Sequence, residues 1–263
     1  MQNMKILRAQ LCAYEENIPY AMVTIVESEG ATRSKGKMMV YESGEVLGSV
    51  GGGTIEQLAI RDARAAIASG VGGLRSYDLN TQAAKDGHAC SGAMQVLIEP
   101  YGTRSTLVLS GAGHVNKAVL PIAKGLGFRT ILVDNRPEEL IADAIALADK
   151  FVPVTNFEEG LKALDVADGA YYVLAGPNHE CDGSALAGAL TKNGKYVGMI
   201  GGPPKIKNIF AKLKDRGFTQ EQLDFVHTPI GLDISSERPE EIAISIMAEV
   251  LMVKNDKGRP AHI

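Results

Sequence analysis

Residues 107–119, LVLSGAGHVNKAV, restrict the fold of this chain more than any other stretch. An apolar run leads into Gly111 and Gly113, and apolar residues then recur at helical spacing, which predicts strand, tight turn and helix in succession. Without a Cβ, the backbone at Gly111 can turn sharply and at Gly113 can approach a ligand closely. The helix that follows offers free N–H groups and positive partial charge to a pyrophosphate. Asp134 ends the next predicted strand, TILVD, 21 residues past Gly113; an acid at about 20 residues reaches a ribose hydroxyl. At the third glycine position stands Asn116, whose side chain is expected to crowd the helix against the sheet or the cofactor. The two glycines also fit a plain tight turn in a Rossmann-like domain with a degenerate nucleotide site. His114 is placed to touch a phosphate or move a proton, or else to cap the helix. Pro121 should kink that helix.

Downstream the pattern alternates strand and helix through FRTILVD, AYYVLAG, a helix near residues 182–191 and KYVGMIGG. Such alternation implies a parallel sheet with helices on both faces. Upstream it differs. A helix over residues 3–15 precedes the strand AMVTIVE, and KMMVYESGEVLGSV reads as a hairpin turning at Ser43-Gly44. The string VGGG lies at a strand-to-helix junction, where Thr54 and Gln57 have the spacing of a capping box. Two more strands, residues 72–79 and 93–100, flank a polar stretch with His88, Cys90 and Gly92. The expected class is α/β: an N-terminal α+β domain (residues 1–102), then a Rossmann-like domain (residues 103–263), with YGTRS as linker. A final helix starts at Pro239 and carries apolar residues around most of its girth. It is either deeply buried or packed on a partner subunit in a homodimer.

Lys and Arg number 27 against 31 Asp and Glu, and Trp is absent, so no basic, aromatic-rich surface offers itself to nucleic acid. No run approaches the ~20 apolar residues of a membrane span, and the N-terminal residues are too polar for a signal peptide, so the expectation is a cytoplasmic protein. Cys12, Cys90 and Cys181 are too few and too scattered for a disulfide framework or a multi-cysteine zinc site.

The strings ATRSKGKMMV, GSVGGGTIEQ, CSGAMQVLIEP, SGAGHVNKAVLPIAKGLGFRTILVDNRPE and TPIGLDISSERPEEIAISIMAEVL resemble the XdhC/CoxI family across nearly the whole chain. The resemblance implies a maturation factor for molybdenum hydroxylases of the xanthine dehydrogenase type. Such a factor would hold the molybdenum cofactor in a cleft between its domains, support its sulfuration, and deliver it to the apoenzyme. A cysteine desulfurase and the apo-hydroxylase would be its partners. The matching positions are Arg33, Ser34 and Gly36 in the first loop, Ser49, Gly51, Gly52, Gly53 and Glu56 at the junction, and Cys90 and Gly92 in a Cys-Gly-Gly segment whose middle residue here is Ser91. By that resemblance Gly51 to Gly53 form an anion cradle, Arg33 pairs a phosphate, and Cys90 offers a thiolate to the metal or to sulfur transfer; a small buried apolar role for Cys90 stays open. In the second domain Asn178, His179 and Asp182 resemble a His-x-x-Asp segment, or serve as helix caps. Where the family carries Gly-Ser-Arg-Arg, this chain has Gly201, Gly202, Pro203, Pro204 and Lys205, leaving backbone N–H groups and Lys205 for an anion there.

Three functions remain at this point. One is the accessory chaperone, not a turnover enzyme. Another is a NAD(P)-dependent oxidoreductase binding through Gly111, Gly113 and Asp134, with His114 or His179 as proton donor. The third is a nucleotide-binding regulatory module. Asn116 weighs against the second, and the loops around Arg33, Gly51 and Cys90 favour the first.

Overall fold

The computed structural model describes residues 2–30, 35–78, 92–235 and 237–255. The chain divides into two compact units, Met1–Thr103 and Arg104–Ile263.

In the first unit, α1 (Gln2–Glu16) precedes β1 (Tyr20–Gly30), β2 (Lys37–Tyr41) and β3 (Val46–Ser49); α2 (Gly53–Ser69), β4 (Gly73–Asp78) and β5 (Gly92–Tyr101) follow. The strands form an antiparallel sheet in the order β3-β2-β1-β5-β4. Alternation along the strands sorts the side chains onto its two faces. Ala21, Val23, Met38 and Val40 pack with Ile55, Ala59 and Ala63 of α2, while Tyr20, Met22 and Met39 pack with Ile6 and Ala13 of α1. Helix α2 ends where Gly70 takes a left-handed conformation and its N–H bonds the Ala66 carbonyl. Its start differs from expectation. The helix begins at Gly53, no side chain caps Gly52, and the carboxylate of Glu56 rather than Thr54 gathers the nearby backbone N–H groups. With three glycines ahead of it, the junction has no Ser, Thr, Asp or Asn at the cap position, so an acid one turn inside does that work.

The second unit alternates as expected: β6 (Thr106–Ser110), α3 (His114–Gly125), β7 (Arg129–Asp134), a 3-10 turn (Glu138–Leu140), α4 (Ala142–Ile145), β8 (Lys150–Pro153), α5 (Phe157–Ala163), β9 (Tyr171–Leu174), α6 (His179–Ala189), β10 (Tyr196–Met199), α7 (Pro203–Asp215), α8 (Gln220–Asp224) and α9 (Pro239–Lys254). All strand pairs are parallel, in the order β10-β9-β6-β7-β8. Both faces are covered, so the strands are almost wholly apolar. Leu107, Leu109, Leu132 and Val173 face α3 and α9, and Val108, Ile131, Val133 and Leu174 face α5, α6 and α7. Helix α3 runs through Pro121. Helix α6 starts three residues before the expected 182, because Asn178 accepts the Cys181 N–H and caps it there. The apolar girth of α9 is covered largely inside its own unit: Ala243, Ile246, Met247 and Val250 pack against α3, while Ile244 is exposed. Among the described residues no helix is long and apolar enough to cross a membrane.

Candidate functional site

Three consecutive glycines, with φ of 137° at Gly51, 79° at Gly52 and 67° at Gly53, join β3 to α2 in conformations that side chains resist. The loop is held from inside by Glu56. One carboxylate oxygen accepts the Ser49 hydroxyl at 2.6 Å and the N–H groups of Val50 and Gly52 at 3.1 Å each; Ser49 Oγ in turn accepts the Gly51 N–H at 3.1 Å. Burial pushes this carboxyl up, but the Ser49 and backbone donors outweigh it and hold the pKa below the ordinary glutamate value. Gly36 packs beside Ser49, where a Cβ would lie 2.7 Å from the Ser49 carbonyl. Among the described residues, and apart from their own chain neighbours and helix backbone, nothing lies within 4 Å of where a Cβ on Gly52 or Gly53 would stand. Arg33, Ser34 and Cys90 lie outside the described residues.

In the second unit β6 and β9 are adjacent while their following connections run to opposite edges of the sheet, which defines its topological switch point. His114 and His179, both exposed, open the two helices that leave these strands. Gly111 has a φ of 94°, and a Cβ on it would sit 2.6 Å from the Ala175 carbonyl, so the turn presses against the end of β9. Asn116 does not crowd the sheet. Its buried amide folds back and donates to the carbonyls of Ser110 and Gly111 at 2.9 and 2.7 Å, fastening the turn. Its Oδ1 and the Ser110 hydroxyl are buried without a partner among the described residues.

Asp134 is fully buried, and both its oxygens are engaged within the protein. Oδ2 accepts the Ala112 N–H at 2.6 Å and an Arg136 guanidinium N–H at 2.8 Å; Oδ1 accepts the Arg136 backbone N–H at 2.8 Å and its Nε at 2.9 Å. Burial raises its pKa, and the Arg136 side chain and the backbone donors bring it below the ordinary aspartate value. Asp182 is likewise buried: Oδ1 accepts the Gly176 N–H at 2.6 Å, and Oδ2 pairs with Lys205. The Lys205 ammonium also donates to the Ile200 carbonyl. It is therefore committed to the fold and is not the free cation expected in place of the family's arginines. Cys181 sits in the first turn of α6, and burial pushes its thiol pKa up, helped by the charge of Asp182.

Sequence reasoning missed a further buried cluster. Glu249, on the apolar face of α9, accepts the Tyr196 hydroxyl at 2.7 Å and the Gly231 N–H at 2.8 Å through one oxygen, while the other lies 3.0 Å from His227 Nδ1. The rings of Tyr196 and His227 are 4.5 Å apart. Burial pushes the Glu249 carboxyl up, but His227, Tyr196 and Gly231 pull it down to about 2. The available signal was an acid between Met247 and Val250, inside a stripe that is otherwise apolar.

Comparison with known proteins gives the family and the fold. Residues 107–250 match the XdhC Rossmann domain, and residues 13–78 match the XdhC and CoxI family. The uncharacterized protein YqeB of Escherichia coli K12 is 33% identical over 255 residues, covering 94% of this chain and 47% of that protein. A probable xanthine dehydrogenase subunit from Bacillus subtilis 168 is 27% identical over 158 residues, covering 60% of this chain and 44% of its own. This chain thus spans less than half the length of either curated relative. A crystal structure described as a xanthine dehydrogenase from Bacillus halodurans shares the fold, with a TM-score of 0.52 and 19% identity over 99% of this chain and 98% of that one. With more than half its length matched by the Rossmann model alone, the chain belongs to the XdhC and CoxI family.

Proposed function

We propose that this protein binds the molybdenum cofactor and supports its sulfuration and insertion into a molybdenum hydroxylase of the xanthine dehydrogenase type, with that apoenzyme and a cysteine desulfurase as partners. The observation that carries the reading is the glycine junction at the head of α2. The first N–H groups of a helix have no intrahelical acceptor. Here residues 51–54 at the head of a 17-residue helix are exposed, and beside Gly52 and Gly53 there is open space among the described residues. The terminal phosphate of a molybdopterin fits that space. Glu56 fixes the loop in this shape, and the family resemblance assigns Ser49, Arg33 and Ser34 to the cofactor. When bound, the cofactor supplies a metal centre able to carry a terminal sulfido ligand; Cys90 is the thiol assigned to it. The test is the pterin and molybdenum content of protein purified anaerobically from a host that makes the cofactor. Near-stoichiometric pterin is expected. Protein without pterin, both as purified and after incubation with released cofactor, refutes the reading.

A second reading, a NAD(P)-dependent oxidoreductase using His114 or His179 as proton donor, is favoured by the strand order and by the tight Gly111 turn. In it the ribose would meet the outer side of Arg136, since the Asp134 oxygens already take four donors. Titration with NADH tests it, and the absence of saturable binding rejects it.

A further inference from the structure

A cavity of about 590 Å³ lies at the carboxyl end of β10, bounded by Ile200, Gly202, Ile230, Leu232, Asp233 and Ile242 among others. Its size suits a bicyclic heterocycle. The loop forming one wall is held rigidly. The backbone N–H and carbonyl of His227 bond to Val197 and Met199 of β10, Thr228 Oγ1 donates to the Met199 carbonyl, and Leu232 exchanges two hydrogen bonds with Ser245 of α9. Beneath it the buried Glu249 takes the Gly231 N–H. Gly231 has a φ of 89°, and a Cβ there would lie 2.3 Å from Ser245 Oγ, so the loop is in its closest approach to the helix.

The chemistry of the walls selects the ligand. Helix α7 points its N-terminus here, but its first two residues are Pro203 and Pro204, which have no N–H. Lys205 turns away to Asp182 and the Ile200 carbonyl. No cation therefore lines the cavity among the described residues, and its one charged group is Asp233. The Asp233 carboxylate is exposed, and its bond within the described residues is a long one, from the Ser235 N–H at 3.4 Å. A phosphate is disfavoured at such a site. A flat, uncharged ring that fits between isoleucines and presents adjacent N–H donors to a carboxylate is favoured, because two parallel N–H···O bonds to a carboxylate are strong and directional.

We propose that this cavity binds the 2-amino-4-oxopyrimidine edge shared by pterins and guanine, with Asp233 accepting its ring N–H and amino group and with Ile200, Ile230 and Ile242 enclosing the ring. The choice of a pterin as the source of that edge rests on the cofactor-binding reading above.

The test uses the full chain and follows quenching of 6-hydroxymethylpterin fluorescence, with guanosine and adenosine as competitors. Two variants are compared with wild type by titration and by circular dichroism. Asp233→Asn removes the charge. Gly202→Phe fills the cavity at a residue with an extended backbone, where among the described residues beyond its chain neighbours a Cβ meets only Pro204 Cδ, at 3.9 Å. Saturable quenching is expected, displaced by guanosine and not by adenosine, and weakened roughly ten- to hundredfold by either variant, the usual share of hydrogen bonds to a charged group. Pterin binding that both folded variants retain unchanged overturns this site and leaves the cofactor reading standing. Wild type that purifies with molybdopterin but ignores the free pterin and guanosine does the same. Wild type with neither bound cofactor nor affinity for free pterin or guanosine overturns both.

Discussion

Replacing Glu249 by Gln keeps the shape of the buried side chain and removes its charge, so it measures what that charge contributes. The carboxyl titrates at about 2 in the folded chain, against 4.5 as the ordinary value. At 1.36 kcal/mol per pKa unit, the ionised form stabilises the fold by about 3 kcal/mol. The sign follows from the depression. This stabilisation is complete above the unfolded value and is lost as pH falls from there to about 2, where the folded carboxyl takes up its proton. Gln can still accept the Tyr196 hydroxyl and the Gly231 N–H through its carbonyl, and its amide can donate to His227 Nδ1 once the imidazole carries its proton on Nε2. It therefore imitates the protonated acid. Urea unfolding followed by circular dichroism, suited to a chain without Trp, should place Glu249→Gln about 3 kcal/mol below wild type at pH 7, with the gap constant to about pH 5 and closing below it. A gap under about 0.5 kcal/mol at neutral pH, or one that persists unchanged at the lowest pH where both proteins fold, refutes the reasoning.

Gly111→Ala should cost about 2–3 kcal/mol in thermal or urea unfolding, since Ala is strained at a φ of 94° and its methyl would sit 2.6 Å from the Ala175 carbonyl; an unchanged midpoint would show that the turn yields freely. Asp134→Ala should destabilise by about 3–5 kcal/mol, because it strands a guanidinium and the Ala112 N–H together. The same unfolding measurement repeated with NADH separates this structural loss from any loss of ribose binding, and a variant as stable as wild type would rule the structural role out.

How far the sequence disclosed this molecule depends on the range of each interaction. Alternation and helical spacing act within a few residues, and they predicted the hairpin around Ser43-Gly44 and the parallel sheet beyond residue 105, while for α9 they left burial and a partner subunit both open. They missed the start of α2, because the capping acid is Glu56 acting across three glycines, a geometry that the Thr54–Gln57 spacing imitates without forming. Lys205 was misread for the opposite reason. Its neighbours in sequence are glycines and prolines, but its partner Asp182 is 23 residues away on another helix. Glu249 and Tyr196 are 53 residues apart, and nothing local to either announces the other. At Asn116 the residue type was noticed and its effect inverted, since a side chain able to donate twice can fasten a turn that a merely bulky one would spoil.

Four carboxylates of the fold follow one rule. Glu56 holds Val50 and Gly52, Asp134 holds Ala112 and the backbone of Arg136, Asp182 holds Gly176, and Glu249 holds Gly231: in each case a carboxylate takes backbone N–H groups of a loop beside a strand end. In a nucleotide-binding protein such N–H groups receive the oxygens of a phosphate. Here much of that donor capacity is already satisfied by fixed negative charge, which shapes the loops before any ligand arrives and raises the cost of placing a second anion beside them. In the second unit this leaves a phosphate fewer free backbone donors at the strand ends. The pair of prolines opening α7 and the inward-turned Lys205 point the same way, since both withhold donors that an anion would need. Within the second unit, the pyrophosphate of a dinucleotide would have to lie against the loop whose Ala112 N–H the Asp134 carboxylate already takes.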